Sequence, residues 1–129
     1  ADLKTDSTSW GNYQNNVWSI TNANLKYAEY NYSLSPWTTA TEKSKTSTSE
    51  AILLSTGANE SFSKMGIYDL AGNVFEWTLE YTYTSNTNVP CALRGGNYGV
   101  MGRDVPASYR NNVFMTGAND GNGFRCVLY

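Results

Sequence analysis

The stretch "YDLAGNVFEW" (residues 68–77) most constrains how this chain can fold, because it places a turn inside an otherwise apolar and aromatic decade. Gly72 and Asn73 both tolerate a positive φ, so they predict a tight turn at its centre. The turn brings Asp69 and Glu76 towards each other and leaves backbone carbonyl groups exposed between them. Two interpretations remain open from these residues alone. Carboxylates and carbonyls are the ligands that Ca²⁺ prefers; alternatively, Asp69 caps the turn while Glu76 accepts hydrogen bonds from backbone N–H groups.

The length and charge of the chain limit its organisation and its partners. At 129 residues the chain suits one domain over residues 1–129, which we expect to be the C-terminal part of a longer chain. The formal net charge is −2, which argues against nucleic acid as an electrostatic partner. No apolar run approaches the roughly 18 residues that a membrane span needs, so we expect no membrane insertion by this segment.

The absence of histidine excludes most of the common catalytic and metal-binding chemistry. Ser-His-Asp and Cys-His catalysis, His-ligated zinc and His-ligated non-haem iron are all ruled out. Any chemistry would have to come from carboxylates, from a bound ion, or from the two cysteines, Cys91 and Cys126. These cysteines leave two alternatives open: one disulfide that closes a loop of about 36 residues, or two buried apolar thiols.

Three segments in the second half of the chain predict strands. In "EWTLEYTY" (76–83) apolar and polar residues alternate, which predicts a half-buried strand. The segments 91–98 and 123–129 also predict strands. The buried face of the first strand is expected to carry Trp77, Leu79, Tyr81 and Tyr83.

The segments between these strands are harder to assign. The Ser- and Thr-rich residues 39–49 predict an exposed loop. In residues 47–57, Ser47 and Glu50 form a capping-box pattern that favours a short helix, and a strand is the alternative for so short an apolar run. Residues 99–122 are rich in Gly, Asn and Asp and are long for a connection, which is typical of a functional loop.

Three motifs together resemble a known family. They are "GIYDLAGNVFEWT" (66–78), "LRGGNY" (93–98) and "GFRC" (123–126). In this order and at this spacing they resemble the formylglycine-generating enzyme (sulfatase-modifying factor) family, over about residues 60–129. The resemblance implies an α+β, C-type-lectin-like fold with a small twisted antiparallel sheet, short helices and much irregular loop.

The same resemblance implies a structural calcium ion at the first motif. Its ligands would be the side chains of Asp69 and Glu76 and the carbonyl groups of Gly72 and Val74. The turn and the two carboxylates would then form a cage that fixes irregular backbone. A chain of this family without the ion would keep the turn by hydrogen bonds.

The resemblance also implies structural roles for residues of the second and third motifs. Arg94 and Arg125 would hold loops by charge-assisted hydrogen bonds. Trp77 and Phe124 would lie in the core rather than serve as a platform for a ligand.

The catalytic residues of the family are missing from this sequence. Oxidase members use a cysteine pair shortly after the "RGG" strand, which binds copper and oxidises a substrate cysteine. The family spacing places that pair at about Val100 and Val105, and neither is a cysteine. We therefore expect no enzyme activity and no copper. The alternative is a formylglycine-generating-type oxidase, or another enzyme, whose active-site residues lie outside this sequence.

Residues 97–122, called the recognition segment below, combine Tyr, Asn, Ser and Gly with a few charges. This composition is typical of adaptable binding loops. Its position before a "GFR" strand resembles the variable proteins of diversity-generating retroelements, in which mutation of adenines diversifies such a segment. An ordinary polar loop in an Asn-rich chain is the alternative. The candidate contact residues are Asn97, Tyr98, Arg103, Asp104, Tyr109, Asn111, Asn112 and Phe114.

These patterns lead to one functional hypothesis. The chain is predicted to be a non-catalytic ligand- or receptor-binding domain that displays the recognition segment on a lectin-type scaffold. The expected partner is a protein receptor or ligand, and a glycan ranks second. The expected location is extracellular, on a cell surface or a virion.

Overall fold

The computed structural model describes residues 3–81, 88, 91–114 and 118–126, and these consist of short strands joined by turns and irregular segments. Frequent Gly, Asn and Ser residues interrupt the chain, so no element grows long. Two single-turn 3₁₀ helices lie at Thr8–Trp10 and Glu60–Phe62. Within the described residues the strands are β1 (Trp18–Ser19), β2 (Leu25–Tyr30), β3 (Thr38–Ala40), β4 (Ser44–Lys45), β5 (Ala51–Leu54), β6 (Ser63–Lys64), β7 (Ile67–Tyr68), β8 (Phe75–Tyr81), β9 (Cys91–Arg94), β10 (Arg110–Val113) and β11 (Asn122–Gly123).

The largest sheet places the three sequence motifs side by side. Its strand order is β10-β9-β8-β11, with antiparallel pairing except between β11 and β8, which are parallel. Arg94 on β9 lies opposite Glu76 on β8 and opposite Arg110 on β10. Strand β10 is an edge strand, and the side chain of Asn111 accepts a hydrogen bond from the backbone N–H of Asn112 at 2.9 Å.

A second sheet covers the main hydrophobic cluster. Strand β2 pairs with β3 on one side and with β5 on the other, both antiparallel. The cluster below consists of Trp18, Ile52, Leu54, Ala58 and Phe62. Two-stranded ribbons, β1 with β4 and β6 with β7, complete the regular structure of the described residues.

Asn73 connects the two halves of the fold. Its side-chain amide donates to the carbonyl of Leu54 (2.8 Å) and accepts from the N–H of the same residue (3.0 Å). The amide therefore makes the two backbone hydrogen bonds that a neighbouring strand would make with β5. Its own backbone N–H donates to the carbonyl of Asn12 at 2.7 Å, and its carbonyl accepts from the N–H of Tyr98 at 3.0 Å. The residue has φ 61°, a conformation that Asn tolerates better than most residues.

Two buried side chains anchor the N-terminal segment to this junction. Tyr13 is fully buried, and its hydroxyl lies 2.7 Å from the carbonyl oxygen of Gly95 and 3.1 Å from that of Val105. Lys45 is also buried, and its ammonium group donates to the carbonyls of Tyr13 (2.9 Å) and Gln14 (2.7 Å). Burial lowers the pKa of Lys45 to about 8.

The predicted fold class is confirmed, with corrections to individual elements. The expectation of short helices is wrong for residues 47–57, where the apolar run forms strand β5. The expectation of an exposed loop at 39–49 is wrong in part, because β4 lies there and carries the buried Lys45. The connection 99–122 contains strand β10, whose polar composition gave no strand signal.

The expected burial of Leu79, Tyr81 and Phe124 is also wrong, and Tyr81 is 66% exposed. Strand β8 forms as predicted, but Leu79 is 106% exposed, because Thr78 and Glu80 of the opposite face make the hydrogen bonds to neighbouring strands. Phe124 is 78% exposed, because Arg125 rather than Phe124 contacts the first motif. Strand β11 ends at Gly123, so the strand predicted at 123–129 starts one residue earlier and is shorter. Tyr83 and residues 127–129 lie outside the described residues.

Cys91 and Cys126 are both free thiols, so the alternative of a disulfide between them is wrong. Cys126 is exposed and Cys91 is half-buried, so the alternative of two buried thiols fails as well. A search of the described residues for a long apolar helix finds none that could cross a membrane.

Replacing Asn73 tests its role as the junction. In Asn73→Ala both backbone groups of Leu54 lose their partner, so we expect the free energy of unfolding to fall by about 2 to 4 kcal/mol. Urea denaturation followed by tryptophan fluorescence measures this change. Asn111→Ala, on the exposed edge, is the matched control and should cost no more than about 0.5 kcal/mol. Equal losses in the two variants would contradict the assignment.

Candidate functional site

The four residues implied as calcium ligands line a single cavity. The cavity has a volume of about 240 Å³ and is lined by Asp69, Gly72, Val74 and Glu76, together with residues of the "GFRC" motif. The turn at Gly72 and Asn73 accounts for this convergence, since both residues adopt a positive φ, 75° and 61° respectively. The structure therefore brings together the residues that the sequence suggested, at the parallel junction of β8 and β11.

Asp69 is the most unusual side chain of this cavity. It is 4% exposed, and its Oδ1 atom has no hydrogen bond of good geometry among the described residues, although the backbone N–H of Asn12 lies near enough to the carboxyl group to act on its pKa in the lowering direction. Its other oxygen accepts a hydrogen bond from the backbone N–H of Gly57 at 3.3 Å. Burial is the largest influence and raises the pKa of Asp69 to about 6, and the charge of Glu76 acts in the same direction. A buried carboxylate with one bare oxygen costs free energy unless a cation or a proton compensates it.

Arg125 supplies part of that compensation. Its guanidinium donates to Glu76 Oε1 (2.9 Å from Nε) and to the backbone carbonyls of Tyr68 (3.2 Å) and Asp69 (2.8 Å). The expectation that Arg125 holds loops by charge-assisted hydrogen bonds is confirmed. Glu76 uses this oxygen for Arg125, which corrects the alternative in which it accepts from backbone N–H groups.

The cavity contains oxygen donors of the type that a calcium ion prefers. The bare Oδ1 of Asp69 is a hard oxygen ligand, and the carbonyls of Gly72 and Val74 could supply further ligands. The carbonyl of Gly72 already accepts from the N–H of Val74 at 2.8 Å but retains a second lone pair. Within the described ranges no group of three or more Asp, Glu or Cys side chains could hold a metal ion. With two carboxylates and one guanidinium, the site has only a small net negative charge when both carboxylates are ionised.

The recognition segment is attached to the rest of the chain mainly through its backbone. The N–H of Tyr98 donates to Asn73, the carbonyl of Val100 accepts from Gln14, and the carbonyl of Gly102 accepts from Ser7. Further along, the N–H of Ala107 donates to the hydroxyl of Ser7 and the N–H of Ser108 to the carbonyl of Leu3. None of these bonds uses a side chain of the recognition segment.

Most of the predicted contact residues in this segment are exposed. Arg103 and Asp104 lie on a turn and face each other at 3.7 Å. A second group lies on β10 and beside it. Residues 115–117 of the segment lie outside the described residues. The members of this second group are Tyr109, Asn111, Asn112 and Phe114, all exposed.

Two of the predicted contact residues have other roles. Tyr98 is only 4% exposed, and its ring lies 6.2 Å from that of Tyr30, so it supports the segment from below. Burial raises the pKa of Tyr98 to about 12. Asn97 is half-buried, and its side chain accepts from the N–H of Gly99 at 2.9 Å. A direct contact with a partner is therefore not the role that their geometry favours.

The sequence analysis did not predict a charged cluster that joins strands β8, β9 and β10. Glu80 accepts two hydrogen bonds from Arg94, at 3.0 and 2.7 Å, and pairs with Arg110 at 2.7 Å. Arg94 also donates to the carbonyl of Ser108 at 2.8 Å, which confirms its predicted structural role. The hydrogen bonds from Arg94 are the main cause that lowers the pKa of Glu80. The alternation in residues 76–83 did indicate on which face of β8 Glu80 lies. It could not indicate that Arg94 on β9 and Arg110 on β10 are the partners of Glu80.

Val100 and Val105 are the residues that the family resemblance led us to expect at about the positions of the oxidase cysteine pair. Both valines are half-buried, and their carbonyl oxygens accept hydrogen bonds from Gln14 and Tyr13. Their backbone thus serves to attach the N-terminal segment.

Comparison with known proteins gives one match. The family model of the sulfatase-modifying factor enzyme 1-like domain matches residues 4–129. No curated protein matches the chain, and no solved structure does.

Asp69 makes the stability of the metal-free protein depend on pH. Its pKa lies near 6 in the folded state against 3.8 ordinarily, so the folded form binds more protons between these values. The free energy of unfolding should therefore fall as pH rises through this window, by on the order of 2 to 3 kcal/mol from this group. Urea titrations at several pH values measure the effect.

Asp69→Asn isolates that contribution, because the variant cannot ionise at this position. We expect the wild-type protein to lose stability relative to the variant as pH rises from about 4 to about 7. Asp104→Asn, at an exposed carboxylate, is the matched control and should track the wild type. A difference between wild type and Asp69→Asn that does not change with pH would contradict the raised pKa.

Proposed function

This chain belongs to the family of the sulfatase-modifying factor enzyme 1-like domain, and we propose that it is a non-catalytic member that binds a partner through the recognition segment. The redox chemistry of the oxidase members needs a cysteine pair, and the resemblance places Val100 and Val105 at about those positions. Fold and function are separable in this way, because function depends on the groups grafted on a scaffold.

The attachment of the recognition segment carries this proposal. Five hydrogen bonds between the backbone of this segment and the four residues Leu3, Ser7, Gln14 and Asn73 fix its path, while the side chains on its surface make few contacts with the scaffold. A segment held by its backbone can change its side chains without losing its shape. That property suits a surface that has to fit different partners.

The chemistry of the exposed side chains favours a protein partner. Tyr109 and Phe114 offer aromatic area, and Arg103 offers a planar charged group, which are the residue types that dominate binding energy at protein interfaces. Asn111 and Asn112 add hydrogen-bonding groups on the edge of the sheet. Tyr109 packs against Phe75 of β8 with ring centroids 6.4 Å apart, so this aromatic residue is preorganised.

Diversification by a retroelement is the finer form of this proposal. The exposed positions combine Tyr, Asn, Asp and Phe, the types that mutation of adenines in Asn codons produces. The genomic neighbourhood of the coding sequence tests it. A reverse transcriptase gene and a near-repeat of the segment encoding residues 97–126, with mismatches at adenines, are expected; an isolated gene without such a repeat would contradict diversification but not binding.

We also propose a structural calcium ion held by Asp69, Glu76 and the carbonyls of Gly72 and Val74. The bare buried oxygen of Asp69 supports this proposal. The ion would neutralise the carboxylates and fix the turn. Since the site combines two carboxylates with one guanidinium, a dissociation constant of about 10⁻⁴ to 10⁻³ M is expected, as in extracellular modules.

Calcium should therefore stabilise the protein measurably. At about 10 mM calcium and pH 7 we expect the free energy of unfolding to rise by about 1.5 to 3 kcal/mol, with a higher melting temperature. Differential scanning calorimetry with calcium and with chelator measures this. Asp69→Asn should lose the response and Asp104→Asn should keep it. An equal response of all three proteins would show that calcium acts elsewhere.

The recognition role predicts which substitutions the fold tolerates. Single alanine substitutions at Arg103, Asp104, Asn111, Asn112 and Phe114 should each change the free energy of unfolding by less than about 1 kcal/mol. A library varied at these positions and at Tyr109 should contain folded binders to a purified test protein, selectable by surface display. A library of the same size varied at exposed Thr38, Thr39, Thr41 and Glu42 of the second sheet is the control. Equal yields from both libraries would contradict a specialised recognition segment.

The enzyme alternative is tested separately. A copper titration followed by oxygen uptake with a cysteine-containing peptide should give no reaction. Oxygen uptake that depends on copper and peptide would overturn the non-catalytic assignment.

A further inference from the structure

A second concave surface lies on the N-terminal half of the fold, away from the first motif. It is a cavity of about 490 Å³ between the end of β2 and the start of β5. Its lining includes Ala51 and Ile52 of β5 together with Tyr30, Tyr32 and Gln14. We propose that this cavity binds a single sugar unit of a glycan. The inference depends on the proposed binding role in one respect: it takes the neighbouring recognition segment as part of the same binding face.

The two tyrosines give the cavity aromatic surface, and the ring of Tyr30 is supported by that of Tyr98. Beyond β2 the chain reverses tightly: the N–H of Asn31 donates to the carbonyl of Ser33 at 3.1 Å, and that of Ser35 to the carbonyl of Glu29 at 2.9 Å. Tyr32 lies at the tip of this reversal and is 96% exposed, with a φ of 62°. An aromatic side chain this exposed contributes little to the core, so its surface is available to a ligand.

The polar groups of the cavity suit hydroxyl groups. The side-chain amides of Gln14 and Asn31 make no hydrogen bond to another described residue, although both residues are fixed through their backbone. Ser49 adds a hydroxyl group to the wall. Ligand sites combine an apolar surface with a few such polar groups, which fix the orientation of the ligand. A pyranose offers both a C–H face for a tyrosine ring and a ring of hydroxyls.

The charges of the cavity argue against an ionic ligand. Its two acidic residues, Glu29 and Glu50, would repel an anion, and no Lys or Arg lines the cavity. They also have cations nearby: Glu29 pairs with Lys43, and the charge of Glu50 favours the charged forms of Lys43 and Lys45, although burial lowers the pKa of Lys45 overall. A carboxylate that is already compensated gains little from a second cation but still accepts hydrogen bonds from hydroxyl groups.

The position of the cavity connects it to the recognition segment. The ring of Tyr30 lies 6.2 Å from that of Tyr98, and the N–H of Gln14 donates to the carbonyl of Val100 at 2.9 Å. A sugar in the cavity would therefore sit on the scaffold while the recognition segment contacts the surface that carries the sugar. Two linked weak contacts of this kind bind more tightly than either alone.

Saturation-transfer NMR of the whole chain tests the inference. The probes are glucose, galactose, mannose, N-acetylglucosamine and lactose, with N-acetyl-lysine methylamide as a cationic comparison. We expect at least one sugar to bind, and we expect Tyr32→Ala to weaken that binding by at least about tenfold. Tyr81→Ala, which removes an exposed tyrosine of β8 outside the cavity, should bind as the wild type does.

Three results would overturn the inference. They are the absence of binding by every sugar, equal binding by Tyr32→Ala and wild type, and binding of the lysine derivative alone. Thermal melting of Tyr32→Ala within about 2 °C of the wild type confirms that the variant is folded. A failure here leaves the role of the recognition segment standing, because the alanine series and the library test that role without any sugar.

Discussion

The hydrogen bonds of Asn73 are the interactions on which the rest of this structure depends. An antiparallel sheet normally continues by adding another strand, but at β5 a single side-chain amide takes the place of that strand. The same residue binds the N-terminal segment through Asn12 and the recognition segment through Tyr98. Three parts of the chain that are distant in sequence therefore meet at one turn. Position 72, beside it, also needs glycine, because a Cβ atom there would lie 2.8 Å from the carbonyl oxygen of Asn12.

Arginine–carboxylate pairs are the second set of interactions that join distant segments of the chain. Arg94 and Arg110 share Glu80, and Arg125 joins Glu76 to the backbone beside Asp69. Such half-buried pairs contribute modestly to stability, but their fixed geometry sets the positions of the segments that they join. The last described residues of the chain are thereby tied to the turn where the buried carboxylate lies. Anything that neutralises Asp69 acts on a part of the structure that also holds the end of the recognition segment.

The sequence allowed the prediction of features that depend on local chemistry. Gly72 and Asn73 indicated the turn, the alternation of residues 76–81 indicated β8, and the three ordered motifs indicated the family. Features that depend on distant partners were not predictable in the same way. Leu79 is exposed because Thr78 and Glu80 find their partners on β9 and β10, and a single strand pattern contains no information about those partners. Lys45 is buried in a Ser- and Thr-rich stretch because the carbonyls of Tyr13 and Gln14 accept its hydrogen bonds.

Strand β10 lies at the edge of the largest sheet and carries part of the recognition segment. An open edge can template pairing with another chain, and each new set of side chains would carry a risk of fibre-like association. The amide of Asn111 occupies the N–H of Asn112 and so removes one of the groups that such a template needs. The short side chain of Asn111 thus partly satisfies the open edge of this sheet from within the same strand. A change at position 111 would therefore alter both this protection of the edge and the contact surface that we propose.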